Sequence, residues 1–284
     1  MVSNRAGVLY VVATPIGNLG DFSQRAIDVL RQVDLIAAED TRHSRKLLHH
    51  FAINKKMVSC HEHNEAQQIP RLLDLLTQGQ SIALLTDAGT PLVSDPGYRI
   101  VGAAIEHGIT VVPIPGPCAA IAALSVSGLP TDRFLFVGFP PGRQAACRAQ
   151  LESLAKETAT LVFYESPRRL VSTLQSALAV FGPDRSTVVA RELTKMHETV
   201  THGRLRDVLD TVSYDATWQK GELVLMFAGL ETAASVDDEE ILRVLKPLLA
   251  ELPLKQAVGL TVSITGARKN EVYETAVRLS SGQA

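Results

Sequence analysis

The chain has 284 residues, 46% hydrophobic and 20% charged, a balance that excludes an intrinsically disordered protein. Its formal net charge of −2 gives no general attraction to nucleic acid, so any such contact would have to come from local basic clusters. There is no apolar run of bilayer length and no signal peptide, and the three cysteines are widely spaced; together these predict a cytoplasmic protein with no membrane partner.

The first 130 residues alternate short apolar runs with helical patterns. The predicted strands are residues 9–13, 35–38, 57–60, 82–85 and 111–114. Continuous apolar strands separated by amphipathic helices indicate a parallel sheet covered on both faces. A boundary is expected at the Gly-Leu-Pro-Thr stretch of residues 128–131, so residues 1–130 are predicted to form an N-terminal α/β domain.

Two further segments follow. Residues 131–232 contain closely spaced strand patterns late in the segment, which predict a second α/β domain with a mixed sheet. After an acidic linker, residues 237–284 show three helical patterns, with a turn at Thr265-Gly266 before the last. Two helices joined by a short turn that contains glycine match the helix-turn-helix pattern, although helical hairpins are also common for packing alone.

Several cofactor and metal motifs are missing. There is no P-loop, and the loop after the first strand is not GxGxxG, which argues against a P-loop NTPase and a nicotinamide dehydrogenase. The His61-Glu62-His63 segment near Cys60 has no second cluster to complete a ligand set, so no metal site is predicted.

Three loops rich in Gly, Pro or polar residues follow strands, at residues 14–21, 86–97 and 113–119. Ligands of open α/β sheets bind beyond the carboxyl ends of the strands, where such loops meet. Residues 88–90 are small, so a ligand could approach the backbone closely. The 86–97 loop contains neither Lys nor Arg, which favours a flat zwitterionic ligand over a polyphosphate.

Six sequence strings carry a resemblance to a known family. In chain order they are LYVVATPIGNLGD, AEDTRHSRKLL, LLTDAGTPLVSDPGYR, VPIPGPCAAIAALSVSGLPTDRF, FYESPRR and ARELTKMHE. Together they resemble the bacterial 16S rRNA (cytidine-2′-O)-methyltransferases of the tetrapyrrole-methylase superfamily over essentially the whole chain. The resemblance implies two α/β domains with S-adenosylmethionine between them, a small helix-turn-helix-like C-terminal segment and a homodimer. It also implies methylation of a cytidine ribose 2′-hydroxyl in 16S rRNA of the small ribosomal subunit.

The resemblance carries cofactor binding to two loops and to the second domain. The cofactor-binding residues it implies are Asp87, Ala88, Gly89, Thr90, Val93, Ser94, Cys118, Ala119, Tyr164, Gly221 and Glu222. The Pro15–Leu19 loop resembles the family's glycine-rich loop at the substrate mouth but lacks its fuller glycine-proline form. With the basic clusters, it gives the predicted RNA-binding residues, which are Pro15, Asn18, Arg42, Arg45, Lys46, Arg168 and Arg169.

A ribose hydroxyl needs help to lose its proton, so a base or a nearby cation is expected. The candidates are Asp40, Glu165, Glu192 and Lys195, with no choice made among them. Asp40 would equally serve as a helix N-cap, and charged helix faces are often merely solvated.

Two other functions stay open at this stage. One is methylation of a small tetrapyrrole-like molecule, against which the basic cluster after Asp40 and the helical C-terminus argue. The other is a non-enzymatic nucleic-acid-binding regulator that uses the helix-turn-helix.

Overall fold

The computed structural model describes residues 7–230, 238–267 and 269–280. The chain divides into two compact units between Gly229 and Leu230. No helix in the described ranges is both long enough and apolar enough to cross a bilayer.

The first sheet of the larger unit is parallel throughout, as predicted. Its strands are β1 (Val8–Val12), β2 (Leu35–Ala38), β3 (Met57–Ser59), β4 (Ile82–Leu85) and β5 (Thr110–Ile114), in the order β3-β2-β4-β1-β5. The accompanying helices are α1 (Gln24–Gln32), α2 (Thr41–His50), α3 (Glu65–Thr77), α4 (Tyr98–Glu106) and α5 (Ala119–Ser127).

Both faces of this sheet are buried because successive side chains of a strand point to opposite sides. On β4, Leu85 packs into the core beneath α1 and α2, whereas Leu84 packs into the core beneath α3 and α4. Two side-chain caps fix where the first helices begin: Ser23 accepts a hydrogen bond from the Ala26 amide, and Asp40 accepts one from the Arg42 amide.

The second sheet is mixed, which confirms the prediction. Its strands are β6 (Phe134–Gly138), β7 (Thr160–Glu165), β8 (Ser186–Arg191), β9 (Thr199–Arg204) and β10 (Leu223–Phe227), in the order β6-β7-β10-β8-β9. Only β6 and β7 pair in parallel; the other pairs are antiparallel. The last strand in sequence, β10, therefore lies in the middle of the sheet and is fully buried.

Helices cover both faces of the second sheet. One face carries α6 (Gln144–Ser153), α7 (Leu170–Phe181) and α8 (Leu205–Tyr214), with Phe163 and Trp218 in the core. The other face is covered by α5, whose Ala123 and Leu124 pack on Val162 and Met226. The two sheets thus belong to one compact unit, and the domain boundaries at residues 130 and 232 stay predictions.

The smaller unit consists of α9 (Asp238–Glu251), α10 (Leu254–Thr265) and α11 (Lys269–Ser280). Its core contains Ile241 and Leu245 from α9, Val258 from α10 and Val272 from α11. After α10 the chain turns at Gly266, whose φ of 71° is left-handed. These helices agree with the predicted three-helix pattern.

Candidate functional site

A cavity of about 420 Å³, hereafter the first cavity, lies within the larger unit. Loops at the carboxyl ends of the first sheet and residues of the second sheet form its wall. It brings together ten of the predicted cofactor-binding residues: Asp87, Ala88, Gly89, Thr90, Val93, Ser94, Ala119, Tyr164, Gly221 and Glu222. Cys118 does not line it but lies half-buried beside Tyr164, at the N-cap position of α5.

The 86–97 loop is fixed to its neighbours by hydrogen bonds. Thr14 and Gly89 exchange two backbone hydrogen bonds of 2.8 and 3.1 Å, and the Thr90 hydroxyl donates to the Pro117 carbonyl at 3.0 Å. Leu92 and Ser94 have left-handed φ values of 74° and 65°, a conformation that costs energy for residues with a Cβ. The loop is therefore held in one strained conformation at the cavity wall.

Three carboxylates crowd one side of the first cavity. Glu39 accepts a 2.7 Å hydrogen bond from the Thr86 hydroxyl, and Asp87 accepts one of 3.2 Å from the Asp40 amide. Burial, followed by repulsion from Glu39, raises the pKa of Asp87, and burial raises that of Asp95 to about 6. Neither Glu39 nor Asp95 was among the predicted site residues, although both flank predicted loop positions.

Another part of the wall of the first cavity is aromatic and apolar. Tyr164 on β7 contacts the rings of Phe136 and Phe139, with centroids 4.9 and 5.6 Å away. Its hydroxyl accepts a hydrogen bond from the Ala120 amide at 3.3 Å, and burial raises its pKa well above the ordinary value. The tyrosine therefore stays neutral and serves as a fixed wall.

A second cavity of about 350 Å³ adjoins the first. Its walls are the Pro15–Leu19 loop, the α2 side chains of His43, Lys46 and Leu47, and Lys195. Four residues line both cavities: Ile16, Asp87, Ala88 and Glu222. The two cavities therefore share a common boundary that includes two carboxylates.

The loop after β8 carries an ion-pair network at this boundary. The Lys195 ammonium donates to Glu192 Oε1 at 2.9 Å and to Glu222 Oε2 at 3.0 Å. Partial burial opposes ionisation of Glu192 and Lys195, but their mutual hydrogen bonds and those with Glu222 prevail. The pKa of Glu192 is thus lowered and the pKa of Lys195 raised, so both stay charged.

Two glycines make room for this network. A Cβ on Gly17 would lie 2.4 Å from Lys195 Cγ, and one on Gly221, whose φ is +91°, would lie 2.6 Å from the Glu192 carboxyl group. Glu192 and Thr194 themselves have left-handed φ values of 51° and 67°. The placement of Lys195 between two carboxylates therefore depends on glycine at two positions and on strained backbone at two others.

A family model described as Tetrapyrrole (Corrin/Porphyrin) Methylases matches residues 8–209. The chain belongs to the tetrapyrrole methylase family. A model described as the RsmI C-terminal HTH domain matches residues 235–280 of this tetrapyrrole methylase. The family recognised in the sequence is thereby confirmed, and the helical C-terminal unit coincides with the second match.

This tetrapyrrole methylase is 50% identical over 275 residues to a Pseudomonas aeruginosa protein named ribosomal RNA small subunit methyltransferase I, across 96% of this chain and 98% of the relative. It is 49% identical over 274 residues to the Escherichia coli O157:H7 protein of that name, across 96% of each. The solved structure of uroporphyrin-III-C-methyltransferase from Thermus thermophilus matches with a TM-score of 0.55 at 22% identity, covering 78% of this chain and 94% of that one. This last match is a likeness of fold.

The predicted catalytic residue Glu165 of this tetrapyrrole methylase lines the first cavity, but its oxygens are engaged elsewhere. Its side chain is 0% exposed and pairs with Arg169 at 2.8 Å, while its oxygens accept from the Ser166 amide at 2.7 Å and the Thr173 hydroxyl at 2.5 Å. Arg169 also donates to the Pro140 carbonyl at 2.9 Å. The predicted base and the predicted RNA-binding arginine therefore bind each other.

The remaining predicted residues lie on or next to α2, in the Pro15–Leu19 loop, or, for Arg168, between β7 and α7. Asp40 caps α2 and pairs with the Arg42 side chain at 3.0 Å, which lowers the Asp40 pKa to about 2. Pro15 and Lys46 line the second cavity, whereas the Asn18 side chain accepts from the Gly20 amide at 2.9 Å. The other two, Arg45 and Arg168, are exposed.

Proposed function

We propose that this tetrapyrrole methylase transfers a methyl group from S-adenosylmethionine to the ribose 2′-hydroxyl of a cytidine in 16S rRNA of the small ribosomal subunit. The observation that carries the proposal is the pair of adjoining cavities, one acidic and one bordered by the basic helix α2. The rRNA substrate is supported by near-full-length similarity to relatives named ribosomal RNA small subunit methyltransferase I.

The chemistry of the first cavity fits S-adenosylmethionine. The described residues that line it include five carboxylates, of Glu39, Asp87, Asp95, Glu165 and Glu222, and neither Lys nor Arg. One of the five, Glu165, is already paired with Arg169. An acidic wall favours a ligand with a sulfonium and an ammonium charge over a polyphosphate. The volume falls within the range of pockets for small ligands, and the small side chains at Ala88 and Gly89 let a ligand approach the backbone.

When bound, S-adenosylmethionine supplies an electrophilic methyl group on a positively charged sulfur. The 87–94 loop and Tyr164 would hold it, and the strained backbone of the loop fixes its amides and carbonyls in place. Holding two reactants in a reactive pose is worth about 7–11 kcal/mol of a bimolecular barrier. Much of the rate enhancement would therefore come from the rigid boundary between the two cavities.

The acceptor RNA would approach along α2. Arg42 and Arg45 are exposed on this helix and Lys46 reaches the second cavity, so the three can contact phosphates on either side of the target nucleotide. Because the chain has a net charge of −2, recognition of a shaped ribosomal surface is favoured over binding to free RNA. Such a substrate would place the protein in the cytoplasm.

We also propose that the protein is a homodimer. One side of α5 packs on the second sheet, while Ile121 and Val126 on the same helix are 52% and 48% exposed. An unpaired apolar helix side of this kind suits a contact between copies. Sedimentation as a monomer at micromolar concentration would exclude it.

The function is tested by transfer of label. Purified protein is incubated with S-adenosylmethionine carrying a tritiated methyl group and, in parallel, with small ribosomal subunits, free 16S rRNA or porphyrin precursors. We expect label in rRNA of the subunits, at a 2′-O-methylcytidine. Label in the porphyrin precursors instead, or no heat of S-adenosylmethionine binding in calorimetry with or without subunits, would refute the proposal.

A further inference from the structure

We propose that the acceptor nucleoside enters the second cavity and that Asp87 takes the proton from its hydroxyl group. This inference rests on the proposed function and goes beyond it by naming the acceptor cavity and the catalytic base. The sequence placed the Pro15–Leu19 loop at the substrate mouth by resemblance, but it singled out no base, and Asp87 was expected only to bind the cofactor.

The boundary between the cavities limits the choice of base. Transfer joins a donor in the first cavity to an acceptor in the second, so the reacting hydroxyl has to lie at their boundary, within reach of residues that line both. Of the described residues only Ile16, Asp87, Ala88 and Glu222 line both cavities. Two of these four side chains are aliphatic, which leaves Asp87 and Glu222.

Glu222 is the less suitable of the two. Its carboxylate accepts a 3.0 Å hydrogen bond from the Lys195 ammonium, and its side chain is 73% exposed. A carboxylate that already accepts from a cation is less available to a hydroxyl group than one with a free oxygen. Its position suits it to hold Lys195 against the acceptor side of the boundary.

Asp87 has the properties of a base. Its Oδ1 accepts from the Asp40 amide, whereas its Oδ2 accepts no hydrogen bond from the described residues and so remains available. The charged and titratable groups that act on it are Glu39 and Asp40 after β2, Asp95 on its own loop and His43 on α2. Burial and the neighbouring carboxylates raise the pKa of Asp87, and a carboxylate with a raised pKa takes a proton more readily.

The four bases considered from the sequence are each engaged elsewhere. Asp40 is neutralised by Arg42, Glu165 is buried with Arg169, and Glu192 pairs with Lys195. Because its two carboxylate partners keep it protonated, Lys195 cannot accept a proton; it can only stabilise negative charge. The geometry therefore assigns removal of the proton to Asp87, which was expected from the sequence to bind the cofactor.

The proposed reaction is a direct displacement at the methyl carbon. The hydroxyl oxygen forms a bond to the methyl carbon while the carbon–sulfur bond breaks, and the electron pair of that bond stays with sulfur. The oxygen–hydrogen bond breaks, and the proton passes to Asp87 Oδ2. No other reactant is needed, and the proton can leave to solvent through the second cavity after the methylated product departs.

The second cavity also has the features of a nucleoside site. Leu47 and the Pro15–Leu19 loop provide an apolar wall, and Lys46 at the rim can contact a phosphate. Its volume of about 350 Å³ can accommodate a single nucleoside but not a duplex. The target nucleotide must therefore leave its stack, as in other enzymes that act on a single nucleotide of a polynucleotide.

The decisive experiment uses Asp87→Asn in the full-length protein with small ribosomal subunits. Single-turnover methylation at saturating S-adenosylmethionine is expected to be about 100-fold or more slower than in the wild type, the usual effect of losing a general base. The donor dissociation constant, measured by calorimetry, should change far less. A rate within a few-fold of the wild type, or a loss fully explained by weaker donor binding, would overturn the assignment.

Dependence on pH adds a readout that a structural role would not produce. The wild-type rate should rise with pH as Asp87 loses its proton, and this rise should be absent in Asp87→Asn. Asp95→Asn is the matched variant, since it removes an equal charge from the same loop at a residue that lines only the first cavity. It should keep the rise, because the carboxyl group of Asp87 is retained. A rise that persists in Asp87→Asn contradicts the inference.

The acceptor cavity is tested by filling it. Leu47→Trp should abolish methylation of subunits while leaving donor binding intact. Ile105→Trp, at an exposed position of α4 that lines neither cavity, should methylate normally. Full methylation by Leu47→Trp would exclude the second cavity as the acceptor site. Wild-type protein that transfers no label to subunits would refute the proposed function itself, and the inference with it.

Discussion

Replacement of Arg169 by Met tests whether this arginine supports the fold or binds RNA. Its partner Glu165 has a fully buried side chain, and the Arg169 side chain is 30% exposed. Removal of one member of a buried ion pair leaves an uncompensated charge and costs about 3–5 kcal/mol. Hydrogen bonds from Ser166 and Thr173 would still reach Glu165, so we expect about 3 kcal/mol, the lower end of this range.

The loss of stability is measured by unfolding in urea and by thermal unfolding, both followed by circular dichroism. For a unit of this size, about 3 kcal/mol corresponds to a fall in Tm of roughly 6–12 °C. The double variant Glu165→Gln with Arg169→Met should recover most of the loss, because the buried charge is then gone as well. Arg168→Met is the matched control, since Arg168 is the exposed neighbour, and it should change stability by less than about 0.5 kcal/mol.

The reasoning would be wrong if Arg169→Met and Arg168→Met unfolded at the same urea concentration. In that case the ion pair would contribute nothing to the fold. If Arg169→Met also lowered the affinity for ribosomal subunits without destabilising the protein, Arg169 would be the RNA-binding residue that the sequence suggested. If only Arg168→Met weakened binding to the subunits, Arg168 would be the RNA-binding residue.

Three further outcomes are expected. The folded-state pKa of Asp95 is raised to about 6, so the protein loses stability as pH rises through that value. At pH 8, Asp95→Asn should therefore be more stable than the wild type by about 1 kcal/mol, after allowance for solvent exposure. In thermal melts this gain should vanish near pH 4. Gly221→Ala should lower the free energy of unfolding in urea by about 1–3 kcal/mol and also weaken donor binding. Gly108 also has a positive φ but lies in open space, so Gly108→Ala should show only the smaller backbone cost. Equal losses in the two variants would contradict the steric argument. Lys46→Ala should weaken binding to the small subunit and make it less dependent on salt. The slope of the logarithm of the binding constant against the logarithm of the salt concentration should be smaller by about 1, and an unchanged slope would exclude a phosphate contact.

Much of the sheet architecture could be predicted from the sequence because buried parallel strands appear as uninterrupted apolar runs. Helix α5 could not. Its nine residues are apolar around almost the whole circumference, so they show no helical period, and one side packs on the second sheet while another is exposed. Periodicity indicates a helix only when apolar residues on one face alternate with polar residues on the other.

The candidate site was predicted in part, and the reason for the gaps is the order of the strands. The 87–94 loop could be identified because small residues follow an apolar strand. Glu39 could not be grouped with Asp87, because only the pairing of β2 with β4 brings the Glu39 carboxylate against Thr86. Asp95 lies on the same loop as Asp87, but its burial near that residue is visible only in the structure. Glu165 was a candidate base because it ends a predicted strand, and Arg169 a candidate RNA contact because it belongs to a basic cluster. Neither pattern reveals that the two side chains pair with each other.

The central position of β10 has a consequence for biosynthesis. The first sheet is complete once residue 114 has emerged, and it can fold early, since domains generally fold as the chain is synthesised. The second sheet has to wait, because β7 and β8 do not pair with each other but with Leu223–Phe227, the last strand of the larger unit. A chain that stops before this strand would expose two long apolar edges and would be a substrate for chaperones and proteases. Residues 221–224 also line the first cavity, so the ability to bind a small ligand there would mark the moment when synthesis of the larger unit is finished.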